Sequence, residues 1–139
     1  MLSGKKIVIG ITGSIAAYKT CQIISLLKKS GAEIHVIMTD AAVKFVPPLT
    51  FQTLSGNPVR TSVFSDKPND EPLPHITLGK ADLFLIAPAT ANIIGKAAYG
   101  IADDLVSTTI LSSDGPVMFA PAMNVRMWQS SQVSENVKK

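Results

Sequence analysis

Four short apolar runs, largely β-branched and without polar alternation, recur along this chain with helix-type sequence between them. They cover residues 6–11, 33–38, 83–87 and 116–120. A strand that is apolar on both faces has to be buried on both, and parallel strands need a crossover rather than a tight hairpin. Right-handed crossovers then place helices on either side of the sheet. The expected fold is α/β: a three-layer, doubly wound, mostly parallel sheet of Rossmann-like type.

The intervening segments read as helices with identifiable ends. Residues 15–30 carry one broad apolar face that includes Ile15, Ile23, Leu26 and Leu27, with Lys28 and Lys29 at the negative end of the dipole and Gly31 as the stop. Thr39 or Asp40 can cap a short helix over 41–46, which Pro47-Pro48 terminates, and 49–54 forms a further turn. Residues 57–74 read as a long surface excursion, and 76–80 as a short helix. Pro88 is expected to stop the third strand. Helices over 91–99 and 104–111 are separated by Gly100, and Asp103-Asp104 caps the second of them. A last helix, 130–139, reaches Lys139 without a cap, as expected of one domain, 1–139, cut short at its C-terminus.

Composition narrows the function. With 46% hydrophobic and 17% charged residues, the chain is a packed globule rather than a disordered one. The net charge of +3 is not gathered into a basic stripe interleaved with aromatics, so no nucleic-acid partner is expected. No apolar stretch is long enough to span a bilayer, so no membrane partner is expected either. The single cysteine, Cys21, allows no internal disulfide and favours a reducing, cytoplasmic setting. Cys21 reads as core and His35 as structural; with His75 they are too scattered to form a metal site.

The chemistry-bearing residues fall where strands end. Gly10-Ile11-Thr12-Gly13-Ser14 occupies the first strand-to-helix turn, where N–H groups and the helix dipole favour an anion. Neither the three-glycine dinucleotide fingerprint nor a P-loop is present, so one phosphate fits better than a pyrophosphate. Ala87-Pro88-Ala89-Thr90-Ala91-Asn92 follows the third strand with small residues and two polar side chains. With Thr39 after the second strand, these loops outline a mononucleotide-like pocket. Past the fourth strand lies Pro121-Ala122-Met123-Asn124-Val125-Arg126-Met127-Trp128. Its amide can hold a carboxylate, and its methionines and tryptophan can wall off water. His75 follows Pro72 and Pro74, which stiffen the backbone, and its imidazole suits proton transfer near neutral pH.

In that order, the glycine turn continued to Ala16-Ala17-Tyr18-Lys19, Pro74-His75-Ile76, the 87–92 loop, Gly100-Ile101-Ala102-Asp103-Asp104-Leu105 and Pro121-Ala122-Met123-Asn124 resemble the homo-oligomeric flavin-containing cysteine decarboxylases. The resemblance covers nearly the whole chain. It is strongest to the branch that acts on phosphopantothenoylcysteine in coenzyme A biosynthesis, often fused to a synthetase. It implies a Rossmann-like flavoprotein with FMN as cofactor, bound by Gly13, Ser14, Ile15, Thr39, Thr90, Ala91, Asn92 and Met123. It also implies a homotrimer, or a dodecamer of trimers, with flavin at the subunit interface. His75 is then the catalytic acid/base assisting thiol oxidation, and Asn124 orients the substrate carboxylate. Oxidising the thiol to a thioaldehyde creates the electron sink that loss of CO2 requires.

Two features depart from the family pattern. The family's flap cysteine lies beyond Pro-Ala-Met-Asn, and none follows it by residue 139. This stretch alone is therefore expected to bind FMN and either stall at the intermediate or hold substrate poorly. Lys80-Ala81-Asp82 also lacks an aromatic residue that many relatives carry before the alanine. The alternatives are a peptidyl-cysteine decarboxylase of lantibiotic synthesis and a non-catalytic flavin-fold regulatory subunit. A flavin prenyltransferase lacks its basic cluster here, and an NAD-dependent dehydrogenase its glycine pattern.

Overall fold

A computed structural model describes residues 1–64, 78 and 80–139. Strands β1 (Lys6–Ile11), β2 (Glu33–Met38), β3 (Leu83–Ala89) and β4 (Val117–Pro121) form one parallel sheet in the order β2-β1-β3-β4. Among the described residues the helices are α1 (Ala17–Lys29), α2 (Asp40–Val43), α3 (Pro48–Ser55), α4 (Ala91–Tyr99), α5 (Leu105–Ser112), α6 (Val125–Trp128) and α7 (Ser131–Lys138). The α/β, doubly wound expectation is met.

Period-two geometry divides the buried residues between two cores. On one face, Ile7, Ile9 and Ile11 of β1 join Ile34 and Val36 of β2 against Ile24 of α1 and Phe51 of α3. On the other, Val8 of β1 joins Phe84 and Ile86 of β3 against Ile93 of α4 and Leu105 and Val106 of α5. Each such fully buried side chain contributes roughly 1.5–3 kcal/mol relative to exposure. Gly10 faces the second core for a steric reason: a Cβ there would lie 3.1 Å from Phe84, Ile86 and Val106 at once.

The structure corrects several expected boundaries. Helix α1 starts at Ala17 rather than at residue 15, because Ser14 first closes a turn: its carbonyl accepts the Ala17 N–H and its hydroxyl the Ala16 N–H. The 41–46 helix is the shorter Asp40–Val43. Within the 57–74 excursion, Arg60 makes a parallel bridge to Ile37 on the outer side of β2.

Pro88 does not end the third strand. Pairing with β4 shifts register after Ile86 and resumes at Ala89. Two buried threonines take the carbonyls of the irregular stretch: Thr20 donates to Ala87 O at 2.8 Å and Thr12 to Pro88 O at 2.6 Å. A proline costs the ladder one donor, but a strand persists where other groups satisfy its carbonyls. Finally, β4 is not buried on both faces as expected. Among the described residues it is a sheet edge paired with β3 alone, and Met118 is 56% exposed.

Candidate functional site

With β2 and β3 on opposite sides of β1, chain order reverses between β1 and β3, and the crevice beyond the carboxyl ends there is where such folds hold ligands. A cavity of about 610 Å3 occupies that place, within the roughly 300–1,000 Å3 usual for small-molecule sites. Four connections line it. Thr12, Gly13 and Ser14 come from β1, Thr39, Asp40 and Ala41 from β2, Thr90 to Ile93 from β3, and Ala122 and Met123 from β4.

Each connection is locally fixed. Gly13 packs so closely on α2 that a Cβ would fall 2.5 Å from Ala41 Cβ. Thr39 and Thr90 are the N-caps of α2 and α4, accepting the N–H groups of Ala42 and Ile93 at 3.2 Å. The two threonines thus have the capping role the sequence allowed them and also line the cavity. Asn124 caps α6, its Oδ1 accepting the Met127 N–H at 3.0 Å.

Thr12, which sequence reasoning passed over, joins the two main loops. Its Oγ1 donates to Pro88 O at 2.6 Å and accepts the Thr90 N–H at 3.1 Å, with 2% of the residue exposed. Thr12→Val keeps the shape but removes the partner of the buried Pro88 carbonyl and of the partly buried Thr90 N–H. At about 1–3 kcal/mol for the buried carbonyl and about 1 kcal/mol for the partly buried N–H, the expected loss is about 2–4 kcal/mol, read from the urea midpoint at unchanged m-value. Thr12→Ser should keep most of the stability; an equally stable valine variant would contradict the linking role.

The electrostatics are acidic. Asp40, Asp103 and Asp104 line the cavity, and Lys96 is the one cation among the described lining residues. Lys96 Nζ lies 2.7 Å from Asp103 Oδ1 and 3.4 Å from Asp104 Oδ2. Its hydrogen bond to Asp103 holds the ammonium above the ordinary lysine range, while Lys96 holds Asp103 below the ordinary carboxylate range. An anion here must therefore rely on N–H and hydroxyl donors: the turn at Gly13-Ser14, the first turn of α4, Thr39, Thr90 and Asn92.

Of the residues singled out from sequence, Gly13, Ser14, Thr39, Thr90, Ala91, Asn92 and Met123 line this one cavity. Ile15 and Asn124 are neighbours in sequence but not among its lining residues; Ile15 is 72% exposed. His75 lies outside the described residues. Met127 joins Met123 on the wall, whereas Trp128 faces a smaller recess of about 340 Å3 with Pro121, Ala122 and Met123. His35 pairs with Glu33 at 2.6 Å on the surface. Cys21 packs partly buried against a core, and burial pushes its thiol up. Among the described residues no group of three His, Cys, Asp or Glu side chains could hold a metal, and no helix is long and apolar enough to cross a membrane.

A family model described as Flavoprotein matches residues 1–139. The chain belongs to the flavoprotein family. This flavoprotein is 46% identical over 138 residues to the coenzyme A biosynthesis bifunctional protein CoaBC of Bacillus subtilis (strain 168), covering 99% of this chain and 34% of that protein. It spans about a third of the length of the curated relatives it matches. Its fold is similar to that of the FMN-dependent cysteine decarboxylase SpaF, with a TM-score of 0.90 and 33% identity over 99% of this chain and 79% of that one. A PPC decarboxylase variant complexed with pantothenoylaminoethenethiol matches with a TM-score of 0.78 and 28% identity, over 96% of this chain and 75% of that one.

Proposed function

We propose that this chain binds FMN in the cavity at the β1/β3 crevice and decarboxylates the cysteinyl carboxylate of phosphopantothenoylcysteine to give phosphopantetheine in coenzyme A biosynthesis. The observation that carries the reading is the convergence of Gly13-Ser14, Thr39, Thr90-Ala91-Asn92 and Met123, from four separate strand ends, on one cavity of suitable size. The donor set fits a phosphorylated flavin. Backbone N–H and hydroxyl groups suit one phosphate, small residues let a flat ring approach, and Met123 and Met127 give an apolar wall.

FMN, when bound, supplies the oxidation of the substrate thiol and the later return of those electrons. The chain supplies the rest. Gly13, Ser14 and Ile15 lie against the phosphate, Ile15 through its backbone in the turn, while Thr39, Thr90, Ala91 and Asn92 surround phosphate, ribityl and ring. His75 takes the thiol proton. Asn124 orients the carboxylate through its amide N–H groups, its oxygen being held by the α6 cap. A neutral amide positions that carboxylate without the ground-state stabilisation a cation would add, so CO2 departure is not penalised.

The active form in this reading is a homo-oligomer, a trimer or a dodecamer of trimers, in the cytoplasm. Exposed Ile15, Tyr18 and Trp128, close in sequence to lining residues, supply apolar surface of the kind interfaces cover. A phosphopantothenoylcysteine synthetase, fused or separate, is the proposed partner. Similarity to the bifunctional coenzyme A biosynthesis proteins supports the coenzyme A substrate over a peptide.

Offering phosphopantothenoylcysteine and a peptide ending in cysteine separately, and weighing the products by mass spectrometry, tests the assignment. Loss of CO2 from the first and not the second is expected. The reverse preference would assign the chain to peptide modification. Oxidised, undecarboxylated substrate would locate the defect after thiol oxidation.

A further inference from the structure

Lys96 has no task in the function just proposed, yet its placement is specific. It follows Asn92 by four residues in α4, so the two side chains share one helix face. Its side chain is 17% exposed, against 61% for Asp103 and 28% for Asp104. Asp104 is anchored independently, its Oδ1 accepting the Ser107 N–H at 2.7 Å and the Ser107 hydroxyl at 2.8 Å as the cap of α5. Gly100 closes α4 at φ 71°, in the left-handed region, and turns the chain back so that both carboxylates reach Lys96. Lys96 and Asp103 line two cavities at once. One is the main site; the other is a recess of about 550 Å3 bounded by Tyr99, Gln132 and Asn136. Ala91 and Asn92 line both as well, so the ion pair sits where the two recesses meet.

We propose that Lys96 is a positioning residue of the flavin site, clamping Asp103 and Asp104 so that the turn over residues 100–104 stands as the cavity wall beside Asn92. The inference rests on the FMN reading. Two neighbouring carboxylates repel each other unless a cation lies between them. Without the ammonium the turn is pushed outward and Asn92 loses its opposing wall. Nothing in this role requires Lys96 to touch the ligand, so shape and charge of the clamp decide the outcome. Arginine, whose planar fork can engage both carboxylates, should replace it. Methionine, of similar length but uncharged, should not.

The test is FMN affinity by quenching of flavin fluorescence in wild type, Lys96→Met, Lys96→Arg, Asp103→Asn and the double variant Lys96→Met with Asp103→Asn. Because Asp103 is largely exposed and its pairing is screened by solvent, Lys96→Met should bind FMN at least about fivefold more weakly, rather than losing it outright. Lys96→Arg should stay within about threefold of wild type. The double variant should recover part of the loss, since one repelling charge is gone. A general loss of packing would not be rescued by arginine or relieved by a second substitution. Unchanged affinity in Lys96→Met, or equal loss in the arginine variant, overturns the proposal. Should Lys96→Met fail to fold, Lys96→Gln carries the test in its place, and unchanged affinity there overturns the proposal equally. A wild-type protein that binds no FMN would instead refute the reading beneath it.

Discussion

Replacing Gly13 by alanine is expected to weaken FMN binding by about ten- to a hundredfold, from the roughly 1–3 kcal/mol that overpacking costs a well-packed site. The new Cβ would stand 2.5 Å from Ala41 Cβ and 3.3 Å from the Ala41 carbonyl carbon. Carbon atoms prefer about 3.5–4.0 Å, so loop and helix must part by about an ångström. Ala41 belongs to the first turn of α2, whose cap is Thr39, so the movement displaces a second lining residue with the first. Removing the obstructing methyl should restore binding. Gly13→Ala combined with Ala41→Gly leaves only contacts of 3.3 Å and beyond. Isothermal titration with FMN should then place the double variant within about tenfold of wild type. Failure of that rescue would mean that Gly13 is needed for something other than its fit against α2.

His75→Asn should abolish turnover while leaving FMN bound. A cysteine-type thiol ionises near pH 8.5, so only a small fraction is thiolate at neutral pH, and a positioned base contributes about 10²–10⁴ in rate. Asparagine cannot take the proton, and the described residues that line the cavity are all untouched by the change. The pH dependence gives the sharper reading. Wild-type kcat/KM should level off once the imidazole is neutral, at a pH below the thiol's own range. The residual rate of the variant should keep rising towards pH 8.5, as solvent rather than the side chain removes the proton. A variant with wild-type turnover, or with the wild-type pH profile, would remove His75 from the reaction.

The sheet was legible because both sides of it are written in adjacent residues. Ile7, Ile9 and Ile11 alternate with Val8 and Gly10, so burial on both faces shows as an unbroken apolar run. The loops of the site were legible for a similar local reason: Gly13, Thr39 and Thr90 stand directly after strands, where caps and close approaches fall. Thr12 was not legible, since its partners Pro88 and Thr90 lie 76 and 78 residues away and no local pattern encodes such pairings. Lys96 escaped notice because a lysine on a helix face usually serves solubility. Its meaning depends on a turn at Gly100 that returns two carboxylates to the same face. Apolarity in 116–120 likewise reported a strand without saying what covers it, and β4 proves to be an edge among the described residues.

The proposed function requires that the crevice beside β1 and β3 hold a phosphorylated flavin. Incubating the protein with FMN, removing excess by gel filtration and recording the visible spectrum tests this directly, with riboflavin and the Gly13→Ala variant alongside. Flavin bands that travel with wild-type protein, fade sharply in the variant and are weaker with riboflavin are the predicted result. Colourless wild-type protein, or equal retention of riboflavin and FMN, would contradict it.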